Sequence, residues 1–264
     1  MQDYEQNDNS DDDNDVTILK FKKSNDEFDF LYPDLNDPHF NIKIAKKKEF
    51  NDTQYDGKIT DVKKQSDVLC NIDFELMPHQ LFVRNFLSLQ TPYNSLFLYH
   101  GLGSVRTCTA IGISEEMRVF MKDAGLTSEN QRILVIATPI GLQKFQLELF
   151  DDSKLKIDTF GKWNIQSCVG NSILNEVNPP ALKGLTRQEI VSNIKRIIAD
   201  SYQFFDYIEF ARFAEKKDAK QFFSNRLLII DEVHNIYFNG KSNQNNIVSK
   251  VLFHIVKESD NLRK

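Results

Sequence analysis

The chain has 264 residues, 41% of them hydrophobic and 27% charged, enough for one sizeable core with or without a small appendage. A formal net charge of −5 excludes a protein that is basic overall, although a whole-chain sum hides local basic patches. No apolar run approaches the ~18 residues of a membrane-spanning helix and no signal-peptide layout opens the chain, so the sequence predicts a soluble protein with no membrane partner.

The N-terminus concentrates the acidic excess: Asp3, Glu5, Asp8, Asp11, Asp12, Asp13 and Asp15 meet no Lys or Arg. Residues 1–16 are therefore expected to be a disordered acidic tail. Residues 17–71 are expected to form an extended N-terminal arm, with His39-Phe-Asn-Ile-Lys-Ile-Ala45 alternating like a short strand. The runs Lys46-Lys-Lys48 and Lys216-Lys217 are short, of a kind that more often marks solvated faces than DNA contacts. Three cysteines, Cys70, Cys108 and Cys168, are odd in number and widely spaced. They predict neither a disulfide framework nor a metal site, as suits a reducing compartment.

From about residue 72 the composition tightens into one domain, 72–264. Pro78 is placed to start a helix in which Leu81, Phe82, Asn85, Phe86 and Leu89 recur at helical spacing. Leu96 to Tyr99 is an apolar run expected as a strand, and it feeds a small-residue turn, His100-Gly-Leu-Gly-Ser-Val-Arg-Thr107, followed by a helical pattern to about Ala124 that Gly125 caps. Strand, small-residue loop and helix is the context of a phosphate-binding loop, in which backbone N–H groups converge on an anion. Aligned on G-x-x-x-x-G-K-[ST], Thr107 keeps the hydroxyl position, but Arg106 stands for Lys, Val105 for the last Gly and His100 for the first.

Arg132-Ile-Leu-Val-Ile-Ala-Thr-Pro139 is a continuous β-branched run, the signature of a strand buried on both faces, and 141–150 is the next helix. Residues from about 151 to 222 are expected as a loop-rich and helical insertion, including a capping box at Thr186 and Glu189 and an aromatic stretch from Tyr202 to Phe213 that suits a packed core. Arg226-Leu-Leu-Ile-Ile-Asp-Glu-Val-His234 is an apolar strand that delivers two acids at its carboxyl end, where open α/β sheets bind ligands. There Asp231 would hold Mg²⁺ with Thr107, and Glu232 would polarise the water that attacks a γ-phosphate. His234 would face the opposite flank. Alternating strands and helices predict an α/β fold with a parallel sheet flanked by helices.

Gln80, the loop ending at Thr107, Ala137-Thr-Pro139 and Asp231-Glu-Val-His234 stand in the order of a superfamily-two helicase's first RecA-like domain. The segments Met77–Ser88, Thr91–Gly103, Leu149–Leu155 and Trp163–Cys168 resemble, more closely, the D-E-x-H helicases of nucleocytoplasmic large DNA viruses, among them the poxvirus-type early transcription factor small subunit and mimivirus-type helicases. The resemblance implies a RecA-like ATP-binding domain and DNA-dependent ATPase activity, with ATP and Mg²⁺ as cofactors. Partners would be DNA or RNA and the viral transcription machinery, in the virion or the host cytoplasm. It places His100, Gly101, Leu102, Gly103, Ser104, Val105, Arg106 and Thr107 around the phosphates, Gln80 at the adenine edge, and Asp231, Glu232 and His234 in catalysis. In the family an S-A-T strand and a second RecA-like domain follow at about this point, so a separate chain carrying that second domain is an implied partner. The departures at Val105 and Arg106 predict strongly reduced or absent hydrolysis and weakened nucleotide binding, and leave a catalytically dead RecA-like interaction module or a split-gene relic as the alternative. Glycine permits close backbone approach, and a lysine ammonium is a compact charge that a planar guanidinium does not replace.

Overall fold

The computed structural model describes residues 31–55, 76–99, 106–125, 132–179, 184–236 and 243–264. The chain divides into a short unit, Met1–Tyr32, and a large one, Pro33–Lys264, which carries the fold. The acidic tail expected at 1–16 lies outside the described residues, as do Cys70 and residues 100–105 of the small-residue loop.

In the large unit, β1 (Ile133–Ile136) is the centre of a parallel three-stranded sheet, between β4 (Tyr202–Phe205) and β5 (Leu228–Ile230). Every side chain of β1 is buried, as its unbroken run of branched residues requires when helices cover both faces. On one face Leu134, Ile136 and Leu228 pack against α8 (Tyr207–Ala214), α9 (Ala219–Phe223) and α10 (Asn243–Glu258), with Phe210 and Phe223 fully enclosed. On the other, Tyr202 and Phe204 meet Phe145 of α5 (Pro139–Leu149) edge to face, and the Tyr202 hydroxyl reaches Ser114 and Glu115 of α4 (Arg106–Asp123). Each enclosed Leu, Ile or Phe removes enough apolar surface to contribute ~1.5–3 kcal/mol. The fold is thus α/β and RecA-like, a parallel sheet flanked by helices.

The strand expected at Leu96–Tyr99 is not a regular strand, but it joins the sheet indirectly. Arg263 pairs in parallel with Leu227, its N–H donating to Arg226 and its carbonyl accepting from Leu228. One residue on, the Lys264 N–H donates to the Asn94 carbonyl and its own carbonyl accepts from Leu96. Residues 263–264 therefore lie between β5 and the segment 94–96. The Arg263 guanidinium also reaches back to the carbonyls of Tyr93 at 2.6 Å, Leu87 at 3.2 Å and Thr91 at 3.3 Å, holding the turn that follows α3 (Pro78–Phe86). Arg263→Met keeps the stem and removes these donors; it is expected to lower stability by ~1–3 kcal/mol in a urea titration.

Several expectations need correction. His39–Ala45 is not a strand: α1 (Phe40–Lys46) is a helix, followed by α2 (Lys48–Asn51). The alternation is deceptive because Phe40 and Ile44 are four apart and so share one helical face, while Ile42 is half exposed. Phe50 of α2 packs against Phe82 and Phe86 of α3, and Phe40 against Phe86 and Tyr93. The span 151–222 is no mere insertion, since it contains β4, a strand of the main sheet. Its first part holds a small antiparallel pair, β2 (Lys156–Ile157) with β3 (Trp163–Asn164), and two helices, α6 (Ser172–Val177) and α7 (Arg187–Ser201). Finally, the structure bonds the sulfurs of Cys108 and Cys168, against the expectation of no disulfide. Their 60-residue separation conceals the contact, which exists because α4 and the turn before α6 fold against each other to a Cα–Cα distance of 5.0 Å.

Candidate functional site

β5 runs out at Ile230, and the Asp231 N–H donates to the Ile136 carbonyl at 2.9 Å, extending the ladder by one residue. The chain then turns sharply: Glu232 has φ 51°, a left-handed conformation that costs a residue with a Cβ about 1–3 kcal/mol. A short 3₁₀ turn, Val233–Ile236, follows. This turn sends the two carboxylates of the acidic pair to different neighbours.

Asp231 lies against the start of α5. Thr138 caps that helix by accepting from the Gly141 N–H. A Cβ placed on Gly141 would stand 3.5 Å from Asp231 Oδ2, 3.2 Å from Thr138 Oγ1 and 3.1 Å from Ala137 Cβ. Glycine there lets the strand ends and the helix approach closely. Glu232 instead faces α4. Its Oε1 is 2.9 Å from Arg106 Nη2, and its Oε2 is 3.3 Å from His234 Nδ1. His234, expected on the opposite flank, is thus turned back to the acid by the 3₁₀ geometry. Arg106 is half exposed, so solvent screens the pair and its value is positional more than energetic.

Sequence reasoning missed Tyr207. This first residue of α8 donates its hydroxyl to the Asp231 carbonyl at 2.7 Å, with the Glu232 carbonyl at 3.4 Å. Burial, with the charges of Asp231 and Glu232, holds its phenol above the ordinary tyrosine range despite a hydrogen bond from Asn235, so it stays protonated and donating. The one local signal was Asp206, whose side chain caps α8 by accepting from the Ile208 and Glu209 N–H groups and so places Tyr207 beside the strand ends.

Gln80 stands apart from this cluster's contacts. It is buried, its Oε1 accepts from the Met77 N–H at 2.9 Å, and its Nε2 is 3.4 Å from Thr109 Oγ1 on the first turn of α4. Its amide is engaged within the protein at both ends in this conformation. Thr107 lies part-buried one residue into α4. His100, Gly101, Leu102, Gly103, Ser104 and Val105 lie outside the described residues. The structure therefore brings Arg106, Glu232 and His234 together, with Asp231 and Tyr207 behind them, at the N-terminus of α4 and the carboxyl end of β5. An Asp carboxylate and a Thr hydroxyl are oxygen donors of the kind that suits Mg²⁺. Among the described residues, no helix is long and apolar enough to cross a membrane.

Comparison with known proteins finds distant relatives of the chain. It is 26% identical over 245 residues to a protein named "Putative helicase 087L" of Invertebrate iridescent virus 3, covering 87% of this chain and 22% of that one. It is 28% identical over 215 residues to "Putative ATP-dependent RNA helicase R563" of Acanthamoeba polyphaga mimivirus, covering 78% and 31% respectively. A third match, "Putative helicase 009L" of Frog virus 3 (isolate Goorha), is 26% identical over 162 residues, 60% of this chain and 14% of the other. No family model matches the chain, and no solved structure matches it. The chain spans less than a third of the length of these curated relatives. It is a distant relative of proteins of large DNA viruses that are named as helicases.

Proposed function

We propose that this chain is the ATP-binding domain of a viral superfamily-two, D-E-x-H-type helicase or nucleic-acid-dependent ATPase, with its phosphate loop impaired. The observation that carries this reading is the meeting of the α4 N-terminus with the acidic pair at the end of β5. Free N–H groups and the helix dipole at such a terminus favour a phosphate. Thr107 and Asp231 are the residues that would hold Mg²⁺, which, when bound, neutralises charge on the β- and γ-phosphates. Glu232 would orient the attacking water and accept its proton. Tyr207 fixes the backbone of both acids from behind. DNA as the nucleic acid, a role in viral transcription and a separate chain carrying a second RecA-like domain belong to this proposal through the resemblance alone.

One contact favours the alternative of a catalytically dead RecA-like interaction module. Arg106, at the position where a loop lysine is expected, occupies a carboxylate oxygen of Glu232. For hydrolysis Arg106 must let go of Glu232 and turn to the phosphates, and its bulk and planarity make that exchange harder than for lysine.

Titration calorimetry of the chain with ATP, with and without Mg²⁺, tests the reading. Measurable binding that strengthens with Mg²⁺ is expected, and Asp231→Asn should abolish the strengthening while leaving binding without the metal unchanged. Equal Mg²⁺ dependence in wild type and variant would remove Asp231 from the metal site.

A further inference from the structure

The Cys108–Cys168 bond joins two parts of the molecule that the nucleotide chemistry does not itself require to be tied. Cys108 lies one residue beyond Thr107, in the first turn of α4; Cys168 lies in the turn between β3 and α6. Their surroundings differ. Cys168 borders a cavity of about 670 Å³, which Leu76, Arg84, Gly112, Glu116 and Val169 also line. Its sulfur lies 3.5 Å from Glu148 Oε2 of α5, and its N–H donates to the Glu148 carbonyl. Both cysteines are buried, Cys168 at 2% exposure and Cys108 at 5%, but Cys168 is the one that lines this cavity, while the N-terminal turn of α4 favours negative charge on the Cys108 sulfur.

We propose that Cys108 and Cys168 form a reversible redox modification site that exchanges with small thiols and disulfides of the glutathione class, with Cys168 as the sulfur attacked from the cavity. In the opening step a thiolate from solvent attacks Cys168, forming a mixed disulfide, and the bond to Cys108 breaks. Cys108 leaves as a thiolate that the helix terminus stabilises. A second small thiolate then attacks the mixed disulfide from outside, releases Cys168 as a thiol, and leaves as part of a small-molecule disulfide. Cys108 takes up a proton, and Glu148 accepts a hydrogen bond from the Cys168 S–H. The balance is one protein disulfide plus two small thiols giving two protein thiols plus one small disulfide, with two electrons passing from the small thiols to the protein. Oxidation is the reverse, and a glutathione-type disulfide supplies the oxidising equivalents. The division of labour rests on the cavity beside Cys168 and on the general rule that a stabilised thiolate leaves faster.

The test uses the full chain with Cys70→Ser, so that Cys70 neither pairs nor labels. The folded protein is equilibrated at graded ratios of reduced to oxidised glutathione, quenched with acid, alkylated in denaturant and weighed intact. The expected result is one transition, from two alkylated cysteines at the reducing end to none at the oxidising end. With Cys108→Ser added, a glutathione adduct should accumulate on Cys168; with Cys168→Ser added instead, Cys108 should gain it at least about tenfold more slowly. Adducts forming equally fast on both variants would overturn the cavity route. Alkylation of both cysteines across the whole range, or a retained zinc ion shielding both thiols, would overturn the redox pair itself. Because the transition is read on a chain that keeps both cysteines, it stands even where a single serine variant fails to fold.

Discussion

Arg118→Met is expected to cost about 3–5 kcal/mol of folding stability, the scale for leaving one member of a buried ion pair without its partner. Arg118 is 4% exposed in the middle of α4. Its Nε lies 2.9 and 3.0 Å from the two carboxylate oxygens of Glu115, and its Nη1 lies 3.0 Å from Glu176 of α6. Lys122 joins Glu176 at 2.7 Å, and the buried Tyr202 hydroxyl donates to Glu115 at 2.6 Å. Burial alone would make the Arg118 guanidinium easier to deprotonate, but the two carboxylates outweigh it and hold the charge more firmly than usual. Methionine fills the space yet leaves Glu115 buried without a cation. A urea titration of Arg118→Met, Glu115→Gln and the double variant separates the effects, because the double variant should regain part of the loss. A loss below about 1 kcal/mol would mean that water reaches Glu115 in the folded state. The same network sets an acid dependence. Burial pushes the Glu176 carboxyl up, but Lys122 and Arg118 more than offset it and the net shift is downward. Its contribution is therefore complete above the ordinary carboxyl range and declines as pH falls through the lowered value. Lys122→Met should flatten that acid limb.

Val105→Gly together with Arg106→Lys is expected to tighten Mg-ATP binding by roughly ten- to a hundredfold, about 1.4–2.8 kcal/mol. Glycine restores the backbone freedom a phosphate cradle needs, and lysine replaces a guanidinium that now faces Glu232 at 2.9 Å with a compact ammonium. Side-by-side calorimetry reads the outcome. Binding by both proteins at similar affinity would mean that the loop substitutions are tolerated, which favours a working ATPase domain. Binding by the double variant alone would favour the interaction module. Silence from both would move the defect away from the loop.

Much of this architecture is legible in local sequence. The run from Arg132 to Pro139 announces a doubly buried strand because helices on both faces demand unbroken apolar residues. Thr186 and Glu189 mark a helix start because the box is satisfied by residues three apart, as the structure has it. Pro78, Gly125 and the apolar approach to Asp231 mark their element ends for equally local reasons. What was not legible depends on distant partners. β4 is hidden because Tyr202 and Phe204 serve one helix layer and Phe205 the other, so an aromatic run has no period to betray it. The cysteine bond and the Tyr207 hydroxyl are products of packing. At the site, residue types announced the acids, but only the backbone turn at Glu232 determines that one acid faces α5 and the other faces α4.

The placement of residues 263–264 between β5 and 94–96 also bears on how the molecule assembles. The link from Arg263 to Leu87 joins groups 176 residues apart. Closing a flexible loop of that length costs about 4–5 kcal/mol in chain entropy before any contact offsets it. Such contacts are expected to form after the rate-limiting barrier, once β1, β4 and β5 have collapsed with their helices. The loss from Arg263→Met should therefore appear as faster unfolding with little change in the folding rate. On that expectation the seam governs how long the folded molecule stays closed more than how fast it forms.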